Sequence, residues 1–201
     1  MLNKKLISYF CMSYLFSWIF FVLLALNRQG SILLFPDDPE HARTLDVWHA
    51  AGGLGPLVSA IITILFYDGR NGLRKFFRSY SIKKLTVYGW LLALSPVLLF
   101  GFGLVAGRIV NGEWLSVQNY FLALNNFLLW FFPLLTYGFG EEGGWRGFAL
   151  PQLQTKYSAL LSTFILTFFW LGWHIPTFFY RYQLSGVMLV GFILGLFAGA
   201  I

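Results

Sequence analysis

Apolar residues in this 201-residue chain come in long runs broken by short polar segments. A membrane-crossing helix takes about 20 predominantly apolar residues. Runs of that order occupy 6–26, 50–67, 85–107, 121–140, 159–175 and 184–201. The pattern predicts an all-α, polytopic transmembrane helical bundle with about six apolar helices. No stretch reads as a soluble domain, so residues 1–201 form one integral membrane domain. The first run is too long for a signal-peptide core and lacks a small-residue cleavage site, so it reads as a retained helix.

Composition agrees with the pattern. Hydrophobic residues make up 58% of the chain, aromatics 20% and charged residues 11%, against about 25% charge in an average globular domain. Mean hydropathy is +0.68. The single cysteine, Cys11, lies in the first run. It excludes an intrachain disulfide and any cysteine-based metal site.

Charge orients the bundle. Between the second and third runs, Arg70, Arg74, Lys75, Arg78, Lys83 and Lys84 stand against Asp68, six cations to one acid or +5 of the chain's +6. Cytoplasmic loops carry such an excess. The first loop holds Asp37, Asp38, Glu40 and Asp46 against Arg28 and Arg43, and the third only Glu113. Both are expected outside, which leaves Lys4, Lys5 and the N-terminus in the cytoplasm. The predicted location is a multi-pass cell-membrane protein. Gly72-Leu73-Arg74-Lys75-Phe76-Phe77-Arg78 could lie at the interface on anionic headgroups. Because the positive-inside rule already accounts for this charge, no nucleic-acid partner is inferred.

One cluster breaks the apolar pattern. Gly140-Glu141-Glu142-Gly143-Gly144-Trp145-Arg146-Gly147 follows the fourth run, and His174 lies in the fifth. Ionisable residues at membrane depth are costly, tend to be paired and mark function. The polar stretch 154–157 between the runs reads as a helix–helix turn. In an antiparallel hairpin, Glu142 and His174 are each 16 residues from Ser158, so the carboxylates should stand level with the imidazole. Pro151 and Pro176 limit that idealisation. The site is expected in the cytoplasmic half of the membrane. Glu142 and Arg146 form an i, i+4 pair with the acid first. Glu141 points about 100° away, on the face of Tyr137 and, less closely, Asn126, which makes it the better candidate base. Thr163, Thr167, Trp170 and His174 recur at helical spacing as a partly polar stripe and a plausible wet wall. Glycines four apart (Gly140 and Gly144, Gly143 and Gly147, Gly103 and Gly107, Gly191, Gly195 and Gly199) are expected to let helices approach closely.

Residues 140–154 resemble the EExxxR segment of the CAAX protease and bacteriocin-processing family (CPBP, or Abi) of intramembrane endopeptidases. Trp173-His174-Ile175-Pro176 resembles its second motif, FxxxH, with Trp170 in place of the phenylalanine. Gly55-Pro56-Leu57, Gly72-Leu73-Arg74 and Tyr88-Gly89-Trp90 resemble the upstream pattern, so the resemblance runs from about residue 50. The family continues with an HxxxN on a later helix, which has no counterpart before Ile201. Either the sequence is a fragment, with further helix or helices expected beyond, or the protein lacks part of the site; the ragged apolar end without a closing cationic flank favours the fragment. His41 and His49 sit far upstream and read as ordinary loop residues.

The resemblance implies hydrolysis of a peptide bond in a membrane-associated substrate by Glu-activated water. Glu141 would be the general base. His174 would stabilise the oxyanion or hold a metal, Glu142 and Arg146 would tune the charge, and Trp170 and Tyr137 would line the substrate environment. The motifs leave open whether a divalent metal such as zinc takes part. Glu141 and His174 would be its ligands, and a catalytic zinc needs a third. No HExxH, GxSxG or pair of membrane aspartates offers another protease chemistry. The implied partners are the lipid bilayer and a membrane-tethered or lipid-modified peptide. The rival is a non-catalytic membrane protein, a transporter or a bacteriocin-immunity or scaffold protein, using the same residues as a buried polar network.

Overall fold

The computed structural model describes residues 3–36, 42–81, 86–112, 134–181 and 187–200. Every regular element among them is helical. They fall into two compact units, one of Met1–Phe76 with Phe131–Ile201, the other of Phe77–Trp130. Three helical stretches are long and apolar enough to cross a membrane: Lys4–Arg28, Thr44–Ser79 and Ala159–Phe179. They contain or largely overlap the expected spans at 6–26, 50–67 and 159–175. The run at 85–107 falls on a helix, the run at 184–201 on a shorter one, and most of 121–140 lies outside the described residues.

Helix α1 (Lys4–Arg28) starts on the Asn3 side chain, which accepts from the Leu6 amide at 2.8 Å. Arg28 in its last turn complements the helix dipole. Next come α2 (Ala42–Gly53) and α3 (Gly55–Ser79), separated by Leu54. Pro56 explains the break. In a continuous helix the amide of residue 56 would donate to the Gly52 carbonyl, and proline has no N–H. The Gly52 carbonyl instead accepts from the Ser17 hydroxyl of α1 at 2.8 Å. A Cβ on Gly55 would collide with that hydroxyl, so α1 rests directly on the bend.

Further along, α3 kinks at Gly69, whose φ of 64° and ψ of −165° suit only glycine. Just before the kink, Asp68 pairs with Lys5, and Tyr67 and Ser8 share a hydroxyl hydrogen bond of 3.1 Å. The start of α1 thus lies beside the kink.

After the undescribed segment, residues 134–154 form one continuous helix, α5, which is π-helical over Leu134–Glu141 and Trp145–Ala149. A turn leads to α6 (Ala159–Trp173), capped by the Ser158 hydroxyl. A 3₁₀ turn (Ile175–Phe179) and α7 (Val187–Ala200) follow. Helices α1 and α6 run parallel. Tyr14 donates to the Phe169 carbonyl at 2.6 Å, and four residues on Trp18 donates to that of Trp173 at 3.0 Å. Between them Phe10 stacks on Phe169 at 4.0 Å, and Tyr9 meets Trp145 edge-on at 5.7 Å.

Close approach of α5 to the α2–α3 bend completes this unit. A Cβ on Gly140 would stand 2.6 Å from the Gly53 carbonyl oxygen, and one on Gly144 would strike Pro56. The packing role expected of the spaced glycines holds at these two. At Gly103, Gly191 and Gly195 an added Cβ meets no described atom within 4 Å.

In the second unit, α4 (Val87–Asn111) begins on the Thr86 hydroxyl, which accepts from the Gly89 amide at 3.2 Å. It ends at Gly112, left-handed with φ 74°.

Gly144→Val is expected to destabilise the protein by about 1–3 kcal/mol, the usual cost of overpacking. Gly191→Ala should be close to neutral. Thermal unfolding of both variants in detergent micelles checks the contrast, and equal behaviour would remove the glycine contact from the account.

Candidate active site

Glu141 is the last residue of the first π-helical stretch and is 7% exposed. Its Oε2 accepts from Trp170 Nε1 of α6 at 3.1 Å. Its Oε1 stands 3.7 Å from where a Cβ on Gly53 would be, so the carboxylate lies in the seam between α5, α6 and the bend. Glu142 faces elsewhere. It pairs with Arg146 one turn on, both side chains partly exposed at 41% and 30%. The Arg146 guanidinium lies 5.0 Å from the Trp170 ring centroid. The expected division between the two acids is therefore what the geometry has, except that Glu141 is held by an indole.

His174 follows the last residue of α6, and the way that helix ends sets the state of its ring. Pro176 cannot continue an α-helix, and the last turn tightens. The His174 amide donates to the Leu171 carbonyl at 3.0 Å, one residue short of the α-helical partner. That leaves the Trp170 carbonyl to accept from His174 Nδ1 at 2.9 Å. A carbonyl only accepts, so Nδ1 carries the hydrogen and Nε2 presents a lone pair. The Thr177 hydroxyl donates to the His174 carbonyl at 2.7 Å. Trp173 and Phe192 meet the imidazole edge-on at 4.7 and 5.0 Å.

Glu141 and His174 are brought together through Trp170, whose indole N–H meets the carboxylate and whose carbonyl accepts from the imidazole. The first arm is not an ideal α-helix: a π-helix climbs less per residue because its bonds close wider turns, and Trp145–Ala149 is π-helical. Lys5 lies over the Phe148 ring, and Tyr14 and Trp18 reach the Phe169 and Trp173 carbonyls on either side of Trp170. Trp170 thus stands between about 15 and 21 Å from the start of an α1 about 37 Å long.

The stripe on α6 faces inward as expected, with Thr163, Thr167, Trp170 and His174 all buried. It is packed rather than wet in its lower part, where the Thr167 hydroxyl donates to its own helix at Thr163. Tyr137 is only partly covered and lies close enough to Glu141 to feel its charge. Asn126 and His41 lie outside the described residues.

His49 is the residue that sequence reasoning missed. It is no loop residue. It sits on α2, 9% exposed, with Nδ1 2.5 Å from the Tyr180 hydroxyl and its ring 5.9 Å from Tyr137 and 5.1 Å from Phe21. It is near enough to His174 to interact electrostatically. Nothing local in the sequence marks it, because its partner Tyr180 lies 131 residues away.

No three His, Cys, Asp or Glu side chains converge among the described residues. Glu141 and His174 offer at most two ligands, short of a three-ligand catalytic zinc site.

Residues 123–201 match the family model described as Type II CAAX prenyl endopeptidase Rce1-like. The match includes Glu141, Glu142, Arg146, Trp170 and His174. A curated relative, CAAX prenyl protease 2 of Methanococcus maripaludis, is 39% identical over 57 residues, covering 26% of this chain and 21% of that protein. No solved structure matches the chain. The resemblance read from residues 140–154 and 173–176 thus lies within the matched stretch.

Trp170→Phe keeps the bulk and removes the N–H that reaches Glu141. A buried charge losing its donor is expected to cost about 1–3 kcal/mol, and the loss should shrink in a Glu141→Gln background. A double-mutant cycle on unfolding in micelles checks this, since equal losses in both backgrounds would mean the indole does not hold the carboxylate. Glu142→Gln, at a partly exposed pair, should cost under about 1 kcal/mol.

Proposed function

We propose that this chain is the membrane-embedded part of a CAAX-type intramembrane endopeptidase that hydrolyses a peptide bond in a membrane-tethered, lipid-modified substrate. The observation that carries the reading is the buried Glu141 carboxylate on Trp170, the same residue whose carbonyl fixes the tautomer of His174. It stands inside the stretch that matches the prenyl-endopeptidase family.

In the reaction, Glu141 takes a proton from a water as its oxygen bonds to the scissile carbonyl carbon. The protonated Glu141 then returns that proton to the amide nitrogen as the C–N bond breaks. His174 enters with a bare Nε2, so it accepts a hydrogen bond from the attacking water and orients it. It can donate to the oxyanion only after gaining a proton, which refines the role expected from the motif. The same lone pair would suit a metal, which would polarise the carbonyl; among the described residues His174 and Glu141 would hold it. The Glu142–Arg146 pair leaves a guanidinium over Trp170 and so sets the charge beside Glu141.

The membrane orientation belongs to the same proposal. Lys5 pairs with Asp68 beside the kink at Gly69, cations follow the kink along the chain, and the positive-inside rule places both in the cytoplasm.

Cleavage of a prenylated peptide in proteoliposomes tests the assignment. Glu141→Gln should lower kcat by about 10²–10⁴-fold, the range for loss of a general base, and Glu142→Gln by less than about tenfold. Cleavage that survives Glu141→Gln would refute the base, and proton-coupled uptake by the vesicles would support the transporter reading.

A further inference from the structure

Downstream of His174 the chain returns to α2 through two adjacent residues. Tyr180 is 3% exposed and its hydroxyl lies 2.5 Å from His49 Nδ1. Arg181 donates to Asp46 Oδ1 at 3.0 Å. Asp46 and His49 are three apart on α2 and share a face, while Tyr180 and Arg181 close the 3₁₀ turn that His174 begins, both amides donating to the Thr177 carbonyl. The turn is thus tied to α6 at one end and to α2 at the other.

The two ties differ in strength. Asp46 is 67% exposed, so its ion pair with Arg181 contributes little. The His49–Tyr180 bond is buried, and a buried polar pair deprived of one member loses more than the bond. Phe21 backs it, its ring 5.1 Å from His49, 5.0 Å from Trp173 and 6.4 Å from Tyr180. A bare imidazole nitrogen is a better acceptor than a phenol, so Tyr180 donates and His49 carries its hydrogen on Nε2. The two histidines then hold opposite tautomers. Trp173, which meets Phe21, also meets the His174 ring at 4.7 Å, which sets this bond at the border of the proposed site.

We infer that the His49–Tyr180 hydrogen bond is a clasp between α2 and the turn after α6 that positions the His174 imidazole, making His49 and Tyr180 positioning residues for the hydrolysis proposed above. The role in hydrolysis rests on that proposal, whereas the positioning of His174 does not.

The test needs one readout without activity and one with it. The chain has three histidines, so ¹⁵N-histidine labelling in a His41→Gln background leaves two ring systems to assign in micelles. His174 is expected to show a protonated Nδ1 and His49 a bare one. Tyr180→Phe should shift the His49 nitrogens and shift or broaden those of His174. His49→Asn, which keeps an acceptor for Tyr180, should leave His174 closer to wild type than His49→Ala does. His174 resonances unchanged by Tyr180→Phe would overturn the clasp, whether or not the protein cleaves anything. In the cleavage assay, His49→Ala and Tyr180→Phe should each lower kcat about tenfold to a hundredfold, as for a misplaced catalytic group, with KM little changed. The double variant should be no worse than the poorer single one. Additive losses would overturn the shared role. No cleavage by the unaltered chain would count against the protease reading alone, leaving the spectra to decide the clasp.

Discussion

The arrangement rests on a contact made where side chains are missing. At Gly140 and Gly144, α5 meets the backbone of Gly53 and Pro56 with no room for a Cβ. In lipid there is little hydrophobic force between helices, so association depends on such close van der Waals approach. The contact also fixes the rotation of α5. With Gly140 and Gly144 turned to the bend, their neighbour Glu141 is carried into the seam against Gly53 and Trp170. Glu142, a further step round, is carried out to Arg146. The different fates of two adjacent, chemically identical acids follow from which face of the helix lacks side chains.

That placement has an energetic consequence. A carboxylate offers about four acceptor sites, and among the described residues a single indole N–H reaches Glu141. A buried charge so thinly satisfied is a liability to the fold. A network serving structure alone would be better built with a glutamine or with a second donor. The Glu142–Arg146 pair shows the contrast, since it is matched in charge and partly solvated. The unequal treatment of the two acids is what favours chemistry at Glu141 over a purely structural network.

Much of this was legible in the chain. The three helices long and apolar enough to cross a membrane followed from apolar runs, the Glu142–Arg146 pair from i, i+4 spacing, and the inward stripe of α6 from its period. The π-helical course of α5 was not, because such turns depend on tertiary contacts that a count along an ideal helix ignores. Nor was His49. Its pairing with Tyr180 spans most of the chain, and a residue near a charged loop gives no local sign that the helix carrying it folds over the site. Spaced glycines were legible as a pattern but not as contacts, for Gly140 and Gly191 look alike until one meets a backbone and the other no described atom.

Two helix breaks free a backbone carbonyl by different routes. Proline removes an amide hydrogen, and the loss is usually counted as a broken helix bond. At Pro56 the loss frees the Gly52 carbonyl, which then holds Ser17 and fastens α1 to the bend. At the end of α6 the missing Pro176 amide would have met the Gly172 carbonyl, and it is the shift of the His174 amide to Leu171 that leaves the Trp170 carbonyl for His174 Nδ1. A backbone acceptor inside a membrane must find a donor, so each break creates a demand that one particular side chain meets. In the second case that demand sets a proton on Nδ1 and keeps Nε2 bare. The tautomer that suits His174 to orient a water is therefore a consequence of how the helix beneath it stops.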